Sequence, residues 1–217
     1  MRVVVFDCDG TLVDSQRAIL HAMRAAFADH DLDAPSDEAI RRIVGLSVPE
    51  AVAMLAQRAP ASVLRGLDAR FRHHSVAFRA SNPGAESPLY PGARAALERL
   101  DSAGVAMAMA TGKARRGVEH LLETQDLRRF FVATQSADDA RSKPHPEMLQ
   151  NVARATGAER LVMVGDTTFD MEMAVAWGCP AIGVSWGYHP PAILREAGAT
   201  VVIDGFDALE AALDDLP

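Results

Sequence analysis

Residues 3–6 form an unbroken apolar run of β-branched and aromatic side chains that stops at two aspartates, Asp7 and Asp9, followed by a Gly-Thr turn and a second short apolar patch. The run predicts a buried strand whose C-terminal end carries two carboxylates. In an open α/β sheet that end is where ligands bind. The apolar period then changes. Ile19, Ala22, Met23, Ala26 and Phe27 recur at helical spacing and predict a helix to about Ala28, with Asp14 or Ser15 as its N-cap. From there to about Ala80 no strand pattern occurs; residues 36–44, 49–58 and 61–78 read as helices, with breaks at 45–47 and around Pro60.

Residues 81–91, SNPGAESPLYP, are rich in turn formers and read as a linker, after which strand and helix alternate. Strands are predicted at 105–110, 131–134, 161–164, 181–184 and 201–203. Helices are predicted at 92–103, 114–123, 146–156, 169–177, 191–196 and 206–213. The methionine-rich run at 105–110 is short enough to favour strand over helix. Such alternation predicts an α/β fold with a doubly wound, mostly parallel, Rossmann-like sheet covered by helices on both faces. The simplest organisation joins residues 1–14 and 88–217 into one core and treats residues 15–87 as an inserted all-helical domain.

Composition narrows the function. The chain has 217 residues and a net charge of −7, which argues against nucleic acid or an anionic membrane as partner. An anionic substrate would need local cations. Only Cys8 and Cys179 occur, far apart and in no metal-binding or redox spacing, as expected in a reducing cytoplasm. No apolar run approaches a membrane span, and the first strand begins too early to leave room for a signal peptide. The expectation is a soluble, cytoplasmic protein.

Polar residues gather at four predicted strand ends: DCDGT from Asp7, ATGK from Ala110, SKPHPEM from Ser142 and VGDTTFDMEMA from Val164. In this order they resemble the four motifs of the haloacid dehalogenase superfamily, and specifically its phosphoglycolate phosphatase-like members, in which a helical cap follows the first motif. The chemistry of the residues agrees. Phosphoryl transfer needs an in-line nucleophile, neutralisation of the phosphate oxygens and protonation of the leaving oxygen. The resemblance implies that Asp7 attacks to form an aspartyl-phosphate and that Asp9 is the general acid and base. It also implies that Thr111, the Gly112 amide and Lys143 cradle the phosphoryl oxygens. So many carboxylates facing a phosphate call for a hard cation, and Mg²⁺ suits oxygen ligands. By resemblance its ligands are the side chains of Asp7 and Asp166 and the main-chain carbonyl of Asp9, while Asp170 orients a water or pairs with Lys143.

The expected activity is Mg²⁺-dependent hydrolysis of a small phosphomonoester, phosphoglycolate-like, by a monomer or homodimer. By position, Gly45, Leu46 and Ser47 match the family's substrate-specificity loop, and Arg42 beside them is a candidate for a substrate carboxylate. Alternatives are a phosphosugar mutase similar to β-phosphoglucomutase, a pyrophosphatase, or a non-catalytic binding protein on the same fold. The mutase caps carry Lys and Arg where this chain has Val44 and Val48. Cys8 reads as a small packing residue, His145 as a loop residue, Met163, Met171 and Met173 as core, and His73 and His74, with Arg70 and Arg72, as a solvated helix face. Trp186 is assigned no catalytic role.

Overall fold

The computed structural model describes residues 1–82 and 87–216. In chain order the elements are β1 (Arg2–Phe6), α1 (Gln16–Ala28), α2 (Asp37–Arg41), α3 (Val48–Leu55), α4 (Ala61–Ser81), α5 (Ala93–Ser102), β2 (Ala106–Ala110) and α6 (Arg115–Thr124). They continue with β3 (Phe131–Gln135), α7 (Glu147–Thr156), β4 (Arg160–Gly165), α8 (Thr168–Trp177), β5 (Ala181–Val184), α9 (Pro191–Glu196), β6 (Val201–Ile203) and α10 (Leu209–Asp214). Among the described residues the sheet has six strands, all parallel, in the order β3-β2-β1-β4-β5-β6. The chain winds outward from β1 in one direction through β2 and β3 and in the other through β4 to β6. The reversal falls between β1 and β4, so the crevice at their C-terminal ends is the ligand position of a doubly wound sheet.

Alternation along each strand divides the core between the two faces of the sheet. Val4, Phe6, Met107, Met109, Val162 and Val164 pack on one face. Val3, Val5, Ala108, Leu161 and Met163 pack on the other, where Met171 and Met173 of α8 join them, so the methionines are core as read. Because both faces are covered, β1 reads as a continuous apolar run rather than an alternating one.

Helices α1 to α4 enclose a third apolar cluster that includes Met23, Phe27, Ile40, Val52 and Leu67. The segments that lead into and out of this helical block lie side by side. Val13 bridges Leu89, Asp14 N–H donates to the Pro88 carbonyl (2.8 Å) and Tyr90 N–H to the Leu12 carbonyl (2.9 Å). The turn-rich linker expected at 81–91 falls partly on residues 83–86, which lie outside the described residues.

Most boundaries match the sequence reading within two residues, and two differences are informative. The helix expected over 36–44 is α helix only to Arg41, its N-terminus held by Ser36 Oγ accepting from Ala39 N–H (3.1 Å). Tight turns then carry the chain through Ile43 and Val44 to Gly45, whose φ of +102° glycine adopts without strain. Those turns press residues 45–47 against the core. At α1, Ser15 is the N-cap residue but makes no capping bond; Asp14 Oδ1 accepts from Gln16 N–H (3.2 Å) instead, and Ser15 Oγ lies 3.3 Å from Tyr188 Oη.

Candidate active site

Three strand ends, those of β1, β2 and β4, converge with the loop before α7 and the start of α8. Asp7 extends β1 by one rung, its N–H donating to the Val164 carbonyl of β4 (2.9 Å), and Thr111 extends β2, donating to the Gln135 carbonyl of β3 (3.0 Å). Asp166 follows β4 directly. Asp170 sits in the first turn of α8, where it forms a capping box with Thr167, accepting from its N–H (3.0 Å) and hydroxyl (2.7 Å). Lys143 reaches in from the loop before α7 and donates to Asp7 Oδ1 (2.7 Å) and Asp170 Oδ1 (2.6 Å). All three side chains of this bridge are buried. The pairing of Asp170 with Lys143 is one of the two arrangements read from the sequence.

Asp166 is fixed by two donors, Thr11 Oγ1 (2.7 Å) and Tyr188 N–H (2.8 Å). Backbone comes so close to it that side chains are excluded. A Cβ at Gly10, whose φ is +89°, would lie 2.2 Å from Asp166 Oδ2, and one at Gly187 would lie 2.2 Å from Asp166 Cβ. Trp186 braces the same loop by donating from Nε1 to the Thr11 carbonyl (3.1 Å) and packing on Phe206.

The electrostatics of the cluster are suited to a cation. Carboxylate oxygens of Asp7, Asp166 and Asp170 lie within 4.8 Å of one another, and with all three ionised against one ammonium the cluster would carry an excess of two negative charges. Burial, reinforced by repulsion from Asp170 and Asp9 and opposed by Lys143, pushes the Asp7 carboxyl up to about 7. Burial likewise lifts Asp166 well above the carboxylate range, with Asp7 and Asp170 adding to it. Burial alone would depress the Lys143 ammonium, but Asp170 and Asp7 outweigh it and hold it above its usual value. Asp7 Oδ2 is buried with no hydrogen-bond partner among the described residues. A hard divalent cation therefore fits the donor set, the charge and the unpartnered oxygen.

These groups open onto a cavity of about 500 Å³ between the sheet end and the helical block. Asp7, Asp9, Thr111 and Gly112 line its core side, and Gly45 and Leu46 line it from the helical side. The two sides touch. A Cβ on Gly112 would lie 2.4 Å from the Leu46 carbonyl oxygen and 2.6 Å from that of Gly45. Ser47 N–H donates to Ser142 Oγ (2.8 Å), next to Lys143 in the chain. Ser47 thus ties the loop to the core without lining the cavity, and Arg42 does not line it either: its guanidinium is exposed and pairs with Glu38.

Several residues escaped the sequence reading. Lys113, the last residue of ATGK, lines the cavity with its Nζ 2.9 Å from Asp9 Oδ1; attraction to Asp9 outweighs burial and raises its pKa. Its place in the quoted motif was the available signal. Arg72 and His73, read as a solvated face, line the cavity with Arg79 from α4; Arg72 and Arg79, two turns apart, share one side of the helix and His73 lies beside them. Their register against the core was not legible in α4 alone. Thr11, Thr167 and Tyr188, which position the carboxylates, are hydroxyl or aromatic residues whose role depends on partners distant in sequence.

Comparison with known proteins agrees with this geometry. The family model for haloacid dehalogenase-like hydrolases matches residues 4–184. A protein of Dickeya dadantii named probable phosphatase IndB is 35% identical over 97% of this chain and 92% of its own length. A phosphoglycolate phosphatase of Mesorhizobium japonicum is 33% identical over 97% of this chain and 94% of its own. Among solved structures, a hydrolase from Pseudomonas syringae superposes with a TM-score of 0.87 at 22% identity, each chain being covered fully, which speaks for the fold. The chain belongs to the haloacid dehalogenase-like hydrolase family and, within it, is phosphoglycolate phosphatase-like.

Proposed function

We propose that the protein is a Mg²⁺-dependent phosphatase that hydrolyses a small organic phosphomonoester, phosphoglycolate-like in class, through an aspartyl-phosphate on Asp7. The observation that carries the reading is the pairing at the cavity floor: Asp7 has one oxygen held by Lys143 and the other unpartnered, with Asp9 and Thr111 lining the same cavity. Asp7 attacks phosphorus, forming an O–P bond as the ester P–O bond breaks, and Asp9 gives its proton to the departing oxygen. Asp9 then takes a proton from water, which attacks phosphorus and releases Asp7 and inorganic phosphate. Lys143, Thr111 and the Gly112 amide balance charge on the phosphoryl oxygens, and Asp170 holds Lys143 in place.

Asp7, Asp166 and the Asp9 carbonyl would hold Mg²⁺, which when bound supplies the positive charge that lets a carboxylate and a phosphate approach each other. Residues 15–87 act as a cap that closes over the bound ester; the contact of Gly112 with the Gly45 and Leu46 carbonyls supports a closed arrangement. The mutase alternative gains nothing from Val44 and Val48, which present apolar side chains to the cavity. Among the described residues no helix is long and apolar enough to cross a membrane. Both cysteines are free thiols, which fits a cytoplasmic setting.

The test is phosphate release by purified protein from a panel of phosphoglycolate, sugar phosphates, nucleotides and pyrophosphate, with isomerisation scored alongside. Release from monoesters that stops on chelation and returns with Mg²⁺ supports the reading. Isomerisation without net hydrolysis, or activity confined to pyrophosphate, would overturn it.

A further inference from the structure

Asp9 is held differently from the other carboxylates of the site. Asp7 accepts from Lys143, Asp166 from Thr11 and the Tyr188 amide, and Asp170 from Thr167 and Lys143. Those bonds fix each side chain in one rotamer. Asp9 Oδ1 is also buried, yet no directed hydrogen bond reaches it among the described residues. The group that faces it is the Lys113 ammonium, 2.9 Å away. A carboxylate on a single tetrahedral stem has several staggered positions open to it, so this ion contact is what selects one.

The route of the lysine to Asp9 is built into the fold. Lys113 N–H donates to Thr111 Oγ1 (3.2 Å) and its carbonyl accepts from Ala137 N–H (3.0 Å), which ties its backbone to the end of β2 and to the loop after β3. Its stem then crosses Gly117 in the first turn of α6. A Cβ on Gly117 would lie 2.8 Å from Lys113 Cγ and 3.0 Å from its Cδ. Alanine is favoured over glycine in a helix by up to about 1 kcal/mol, so the bare backbone here gives up helix stability and leaves room for the stem. The pair itself gains little net stability, because desolvation of two largely buried charges offsets their attraction. What it supplies is geometry.

We propose that Lys113 is a positioning residue for Asp9: its ammonium holds Oδ1, so that the other carboxylate oxygen is the one presented to the departing ester oxygen and then to the attacking water. Gly117 serves the same end by clearing the path of the lysine stem. The inference rests on the phosphatase reading above and adds to it the residue through which the proton-transfer group is aimed. Lys113 acts through Asp9 and takes no proton in the reaction.

The experiment measures kcat and KM, with Mg²⁺, for alkyl phosphates and for p-nitrophenyl phosphate in the wild type, Lys113→Met, Lys113→Arg and Gly117→Ala. An alkoxide needs a well-aimed acid in order to leave and a nitrophenolate does not. Lys113→Met is therefore expected to lower kcat/KM for the alkyl esters at least about tenfold more than for the aryl ester, with Lys113→Arg recovering part of the loss. Gly117→Ala should show the same selective loss while its stability to urea stays level or rises. In an Asp9→Asn background, Lys113→Met should lower kcat for the aryl ester by less than about twofold, because a positioning residue then has no carboxylate to position. Equal losses for alkyl and aryl esters, an effect confined to KM, or full additivity with Asp9→Asn would make Lys113 a substrate contact or a packing residue. Each would overturn the inference while leaving the phosphatase reading intact. Absence of phosphate release from every ester by the wild type would overturn both.

Discussion

Replacing Lys143 by methionine removes an ammonium from between two buried carboxylates while keeping most of the stem that packs there. In the folded protein Lys143, Asp7 and Asp170 are inaccessible to solvent, and the two bonds of 2.7 and 2.6 Å are direct. Breaking a buried ion pair by deleting one partner typically costs about 3–5 kcal/mol, because the charge left behind stays desolvated. Here two carboxylates are orphaned, so the upper half of that range applies. For a chain of this size the loss is a fall in Tm of roughly 8–20 °C. Urea denaturation followed by far-UV circular dichroism, without Mg²⁺, measures it directly. The deficit should shrink as pH falls from about 8 to about 5.5, because Asp7, already lifted to about 7, takes up the proton that relieves it. Adding Asp170→Asn to Lys143→Met should recover part of the loss, since the amide oxygen can still accept from Thr167. A loss below about 1 kcal/mol at pH 8, or one that does not change with pH, would refute the electrostatic account of the site.

Three further outcomes follow from the geometry. Gly10→Ala places a methyl carbon 2.2 Å from Asp166 Oδ2 at a φ of +89°, so stability should drop by at least about 2 kcal/mol and turnover with it, read by urea titration and phosphate release. Gly112→Ala drives a methyl into the Leu46 carbonyl at 2.4 Å; it should raise KM or lower kcat by about tenfold or more through displacement of the 45–47 loop, with a stability change under about 2 kcal/mol. The rise in Tm on adding Mg²⁺ should grow between about pH 5.5 and pH 8. The folded Asp7 pKa near 7 lies above its unfolded value, so Asp7 contributes stability to the metal-free fold at low pH that is lost as pH rises through 7, while cation binding requires the ionised form. A metal-induced shift that is flat or falls over that range would contradict this.

The sheet was legible because each strand is a short apolar run ended by polar residues, and its direction followed from alternation with helices of ordinary length. The core side of the site was legible for a related reason. Asp7, Asp9, Thr111, Lys143, Asp166 and Asp170 all lie at strand ends or in the loops and first turns beyond them, so topology alone gathers them. What escaped was whatever depends on how the helical block rests on the core. α4 carries charged residues on more than one side, and only its packing shows that Arg72, His73 and Arg79 face the cavity while Arg70 pairs with Asp29. Arg42 illustrates the converse. Its closeness in sequence to Gly45 suggested a substrate contact, yet the turns after α2 leave its guanidinium outside with Glu38. Lys113 is visible in its motif, but its pairing with Asp9 depends on the fold that brings β1 and β2 side by side.

The most direct test of the central claim asks where the phosphoryl group goes. Asp9→Asn retains Asp7 but removes the group proposed both to protonate the leaving oxygen and to activate water, so with an aryl phosphate, whose phenolate leaves without an acid, and Mg²⁺ the phosphoenzyme should accumulate. Acid quenching and peptide mass spectrometry should then find one added phosphoryl group on the peptide containing Asp7, and none in Asp7→Asn. Phosphate release at the wild-type rate by Asp7→Asn, or a phosphoryl group carried by another residue, would contradict the account.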